Sequence, residues 1–202
     1  MAEAETNPVL QVLNLNEILE ENKKYPTELL HFNQTGWRAY YHCHPASRSG
    51  NHRFQGEHGH FHIFVRTHKN PEEWSHLVAL AMDSMGQPLG WFTVNHWVTA
   101  ETWKSVSVLA KHLNSIAFSE QKTLVERWLL SLLALSCEQV KSILDERDRV
   151  LKQYELKSNN NIKQDKNIYI LSAIPIVLTE SLNRGCSDYI KKQQKTLKRG
   201  VP

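Results

Sequence analysis

The stretch Glu57-His58-Gly59-His60-Phe61-His62-Ile63-Phe64-Val65-Arg66 decides the reading of this chain. Its polar and apolar residues alternate, and successive side chains of a strand point to opposite faces. His58, His60, His62, Phe64 and Arg66 therefore share one face, while Gly59, Phe61, Ile63 and Val65 share the other. Upstream, Gly36 to His44 repeats the pattern: Arg38, Tyr40, His42 and His44 on one side, Trp37, Ala39, Tyr41 and Cys43 on the other. Pairing the two strands antiparallel, apolar side to apolar side, puts both histidine sets on a common face. The expected register sets His42 opposite His62 and His44 opposite His60. Directly opposed Cβ atoms lie ~4.5–5.5 Å apart, close enough for two imidazoles to share an ion.

Outward from this pair, Pro45 to Gln55 reads as a loop carrying Ser47, Ser49, Gly50 and Asn51. Trp74 to Asp83 and Leu89 to Asn95 read as two further strands, separated by the turn Met85-Gly86-Gln87-Pro88. The N-terminal 1–35 reads as helical, with Asn14 or Asn16 as a cap for residues 9–24 and a second short helix through Leu29 and Leu30. After the strands the period becomes helical. Thr99 is the expected N-cap, and a longer helix from Ser119 carries the apolar stripe Leu124, Trp128, Leu132, Leu135, Ile143 and Leu144. Lys157 to Lys166 is a polar break. Ile168 to Leu178 is a candidate edge strand because Pro175 cannot donate to a ladder. Lys191 to Arg199 is a basic tail. The expected fold is α+β: a four- or five-stranded antiparallel meander with helices packed on one face. It forms a single domain over 1–202, divided into a helical 1–35, the sheet 36–98, helices 99–155 and a terminal 156–202.

Composition narrows the function. The 202 residues are 41% hydrophobic, enough for one core, and the formal charge of +3 argues against nucleic acid as the main partner. Cys43, Cys137 and Cys186 are odd in number and form no C-x-x-C, which argues against a disulfide framework and a cysteine zinc site. The start, Met-Ala-Glu-Ala-Glu-Thr, lacks the order of a secretory signal. The most apolar run, Trp128 to Cys137, is well short of the ~20 residues of a membrane span. A cytoplasmic location and no membrane partner are the expectation; the oligomeric state stays open.

Imidazole is the commonest metal ligand, so His42, His44, His58, His60 and His62 are the candidate ligands of one divalent ion. Neutral nitrogens suit Zn, Fe, Ni or Cu, and the lack of thiolates disfavours Cu(I). His76, at the start of the third strand, is a candidate to extend the cluster. Arg38, Arg48, Arg53 and Arg66, with Asn95, are candidates to bind an anionic ligand such as a carboxylate or phosphate. Glu101 is the candidate general base, which fits its competing role as a helix-dipole partner equally well. Glu57 falls on the apolar phase and reaches the cluster only if a bulge re-aims it.

The runs Tyr41-His42-Cys43-His44-Pro45, Glu57-His58-Gly59-His60-Phe61-His62-Ile63-Phe64, His76-Leu77-Val78-Ala79-Leu80 and Asn95 to Trp103 resemble an uncharacterised bacterial family of unknown function. Arg127-Trp128-Leu129 and Asp145-Glu146-Arg147-Asp148 look like its helical part. The resemblance covers roughly residues 20–180 and implies a cytoplasmic α+β domain, with no activity attached. A fainter likeness is to cupins: Gly36, then His42-Cys43-His44 at the spacing of their first metal motif. Arg48 and Ser49 stand where that motif has glutamate, and Thr93 where the second has histidine. The leading expectation is a metal-dependent hydrolase acting on a small anionic substrate. The alternatives are a non-catalytic metal-storage or sensing protein and a metal-free anion pocket.

Overall fold

The computed structural model describes residues 7–13, 17–32, 36–44, 54–67, 72–116, 123–157, 161–177 and Asn183. Six strands follow one another as neighbours in one sheet: β1 (Tyr25–Phe32), β2 (Trp37–Cys43), β3 (Glu57–Arg66), β4 (Trp74–Asp83), β5 (Pro88–Val94) and β6 (Ile170–Pro175). Every neighbouring pair is antiparallel, so the architecture is an α+β meander. The helices are α1 (His96–Thr99), α2 (Val106–Asn114), α3 (Leu124–Leu135) and α4 (Cys137–Lys157).

Alternation along β2 and β3 drives the packing. Trp37, Ala39, Tyr41, Phe61, Ile63 and Val65 join Leu109, Leu129, Leu133 and Leu144 of the helices in one core cluster. Each fully buried Leu, Ile or Phe side chain contributes ~1.5–3 kcal/mol. α3 starts where the sequence allows both orphan ends to be satisfied. Thr123 caps Glu126 N–H, and the Glu126 side chain accepts from Thr123 N–H. The other sheet face carries a smaller apolar cluster, Ala79, Ala81, Phe92 and Val94, covered by Phe54, Val98 and Tyr169.

Several expectations need correction. The sheet has six strands rather than four or five, because Tyr25–Phe32 is a strand where helix was expected. Its register shifts between Tyr25 and Leu30, and Leu29 has φ 55°, so the alternation that marks a strand is broken there. Within 9–24 the described residues hold only a 3₁₀ turn, Leu10–Val12. Asn14 and Asn16 lie outside the described residues, as do Ser119, the basic tail and Cys186. Thr99 ends α1 rather than capping a helix; Asn95 is the cap, accepting from His96 N–H. Helices do not all lie on one face, since Val98 of α1 packs with the smaller cluster. The final strand is an edge strand ending at Pro175, as its proline implies. No helix among the described residues is long and apolar enough to cross a membrane.

Two bulges interrupt the β3–β4 ladder. Glu57 opposes Asp83 but Gly59 opposes Met82, so β3 carries one extra residue there. Ile63 opposes Val78 but Phe64 opposes His76, so β4 carries the other. Gly59 is required at the first: a Cβ would stand 2.5 Å from His42 O and 2.5 Å from the Tyr41 hydroxyl oxygen. Gly59→Ala should therefore lower the urea-unfolding free energy by ~1–3 kcal/mol, the range for overpacking; an unchanged midpoint would show that the bulge relaxes freely.

Candidate metal centre

The β2–β3 register sets His42 opposite His60 and Tyr40 opposite His62. This is two residues from the expected register, and a shift of two leaves every side chain on its expected face. The three imidazoles of His42, His60 and His62 turn the same nitrogen inward. Nε2 of His42 is 2.7 Å from that of His60, His60 is 3.1 Å from His62, and His62 is 3.2 Å from His42. These residues form a group that could hold a metal ion. His60 and His62 are fully buried, while His42 is half-buried and gives the cluster its edge toward solvent. Three nitrogens ~2.0–2.1 Å from one ion at tetrahedral angles stand ~3.3 Å apart. The triangle is a few tenths of an ångström tighter than that, so a small outward movement of the rings admits an ion.

The outer nitrogens are also engaged. His60 Nδ1 lies 2.7 Å from Glu57 Oε1, with both side chains almost wholly buried. His62 Nδ1 lies 2.9 Å from His76 Nε2. Glu57 reaches this face because the first bulge inverts the phase of Glu57 and His58. His58 consequently turns to the core side, where its Nδ1 is 2.8 Å from the Tyr41 hydroxyl. The expected alternation of three histidines on one face thus fails at its first member. Gly59 within a strand was the available signal, since interior glycine marks bulges. His44 stands just beyond β2, its ring 4.4 Å from that of His42 and 5.1 Å from that of His60, with Nδ1 3.2 Å from Asn22 Oδ1. Tyr40 walls the cluster, its ring 5.2 Å from His62 and 5.6 Å from His42. Phe92 meets His60 edge-on at 5.0 Å.

The other expected residues are placed elsewhere. Arg38 pairs with Glu101 and lies over the rings of Phe64 and Trp74. Burial pushes the Glu101 carboxyl above its ordinary value, against the opposing pull of Arg38 and Lys24. Arg66 is exposed and lies over Trp74. Asn95 is buried, and its amide donates to the carbonyls of Ile162 at 2.7 Å and Ile168 at 3.1 Å, tying the approach to β6 onto α1. Arg48 and Arg53, with His52, lie outside the described residues.

Residues 1–176 match a family described as domain of unknown function DUF6969. The chain belongs to that family. No curated protein and no solved structure matches it. Membership therefore attaches no activity, and the chemistry of the histidine face has to come from its own atoms.

Electrostatics keep His62 and His76 neutral. Burial, then the neighbouring histidines His60, His76, His42 and His44, hold the His62 imidazole well below its ordinary 6.5. Burial and the Arg147 charge push His76 down to about 3. An imidazole with a lowered folded pKa binds fewer protons folded than unfolded. Its stabilisation is complete above the unfolded value and is lost as pH falls. Metal-free protein should accordingly lose stability as pH falls from 6.5 toward 3, by up to ~1.4 kcal/mol per pH unit from His76, with His62 acting in the same direction. Urea midpoints measured between pH 7 and 4.5 check this; a flat profile would contradict a buried, neutral His62–His76 pair.

Proposed function

We propose that the protein is a metal-dependent hydrolase, with His42, His60 and His62 holding one divalent ion and a small anionic molecule as substrate. The convergence of three Nε2 atoms within 3.2 Å carries this reading. Three nitrogen ligands leave a fourth position open, the ligand count of catalytic rather than structural zinc. Three neutral imidazoles suit Zn, Fe(II), Ni or Cu(II). An ion held by His42, His60 and His62 would supply Lewis-acid activation of water or of a substrate oxygen. The chain's own groups supply the rest. His44 stands beside the cluster with Nδ1 3.2 Å from Asn22 Oδ1, where its ring would take up a proton released at the centre. Glu101 is engaged by Arg38, which hands that role to His44. Lys24 lies over the Tyr40 ring at 4.7 Å, and Arg38 precedes Tyr40 by two residues on the same face. An anion approaching over Tyr40 would meet the Lys24 charge, while that of Arg38 is offset by Glu101.

Elemental analysis of untagged protein tests the reading. One ion per chain is expected in the wild type and in His58→Ala, with loss in His42→Ala, whose half-buried site best tolerates truncation. Absence of stoichiometric metal from the wild type and from protein titrated with zinc would contradict the centre. Metal-loaded protein that hydrolyses no small phosphate or carboxylate ester would contradict the hydrolytic half alone.

A further inference from the structure

Each bulge in the β3–β4 ladder brings one polar side chain onto the histidine face that regular alternation would have turned away. At the first bulge, Glu57 takes the place His58 would have had. At the second, Phe64 pairs with His76 instead of Leu77, and Leu77 joins Val78 in the core on the opposite side. The two recruited side chains do not point at the triangle of Nε2 atoms. Glu57 Oε1 meets the outer nitrogen of His60 at 2.7 Å, and His76 Nε2 meets the outer nitrogen of His62 at 2.9 Å. Bulges are over-represented next to functional sites because they re-aim single side chains. Here two of them bracket the His60–His62 segment and serve its two rings one each.

We infer that Glu57 and His76 are positioning residues of the centre, each accepting a hydrogen from Nδ1 of a ligand ring so that His60 and His62 present bare Nε2 atoms to the ion. This rests on the metal reading of His42, His60 and His62. The tautomer logic is direct. A neutral imidazole carries one hydrogen, and if Nδ1 holds it, Nε2 offers a lone pair. A carboxylate at Glu57 would only accept, and at 2.7 Å it would hold the hydrogen of a neutral His60 ring on Nδ1. His76 fixes that of His62 in the same way when its own hydrogen sits on Nδ1. Outer partners of this kind orient a ligand ring and raise its basicity. The two acceptors are unequal. A carboxylate bond is charge-assisted and an imidazole bond is not, so His60 is the stronger donor of the pair.

Zinc affinity measured by competition with a chromophoric chelator tests the inference on the full chain. Glu57→Ala and His76→Leu should each bind zinc 10–100-fold more weakly than the wild type. Glu57→Gln and His76→Gln should recover most of that loss, because an amide oxygen still accepts from Nδ1–H. Side-chain ¹⁵N NMR of the zinc-loaded wild type supplies a readout that needs no variant to fold. Nδ1–H tautomers are expected at His60 and His62. Wild-type protein that takes up no zinc would overturn the metal reading, and this inference with it. Wild-type binding with folded Ala and Leu variants within threefold of it, or with ligation through Nδ1, would overturn the positioning roles and leave the metal reading intact.

Discussion

The antiparallel register that sets His42 against His60 and Tyr40 against His62 is the constraint from which the rest of the centre follows. Once those pairs are fixed, three rings on adjacent strands have nowhere to go but toward one another. Their nitrogens end within hydrogen-bonding distance in a region closed by Tyr40 and Phe92. Three imidazole nitrogens aimed at one point crowd their lone-pair density together wherever no hydrogen bridges them. A cation at the centre would turn that crowding into ligation, which is the physical reason to read the cluster as a binding site.

Irregularity, more than regularity, shapes the chemistry around it. A perfectly alternating β3 would have stacked His58, His60 and His62 on one face and left Glu57 in the core. The extra residue at Glu57–Gly59 exchanges an imidazole for a carboxylate, and the extra residue at Leu77 adds an imidazole from β4. The cost is local: Gly59 is held by the close approach of His42 O and the Tyr41 hydroxyl, and ladder hydrogen bonding is interrupted twice. Beyond His76 the polar chain continues into a small cavity lined by Glu101, Trp103 and Arg147. Arg147 is itself buried against Trp103 and bonded to Asp148. The histidine face is thus connected to α4 by side chains, although the apolar core lies on the other side of the sheet.

Much of this was legible in the residues, for reasons that are themselves physical. Period two along 36–44 and 57–66 is robust to register error, so the facing of His42, His60 and His62 survived a two-residue mistake in the pairing. The apolar stripe from Leu124 to Leu144 marks the helical part, yet it points to one helix where the chain divides at Ser136 into α3 and α4. Three things were hidden. β1 looked helical because Leu29 and a register shift spoil its alternation. Glu57 and His58 were assigned to each other's faces because a bulge changes phase without changing composition, and only Gly59 announces it. Asn95 looked like a ligand-binding amide, but its partners are the carbonyls of Ile162 and Ile168, some seventy residues along the chain, which no local pattern reveals.

The most direct measurement is a crystal structure of zinc-loaded protein with anomalous data collected at the zinc edge. The account predicts one anomalous peak ~2.0–2.1 Å from Nε2 of His42, His60 and His62, with Glu57 and His76 on the far side of their rings. A peak bound through His58, or an empty triangle with zinc elsewhere, would contradict it.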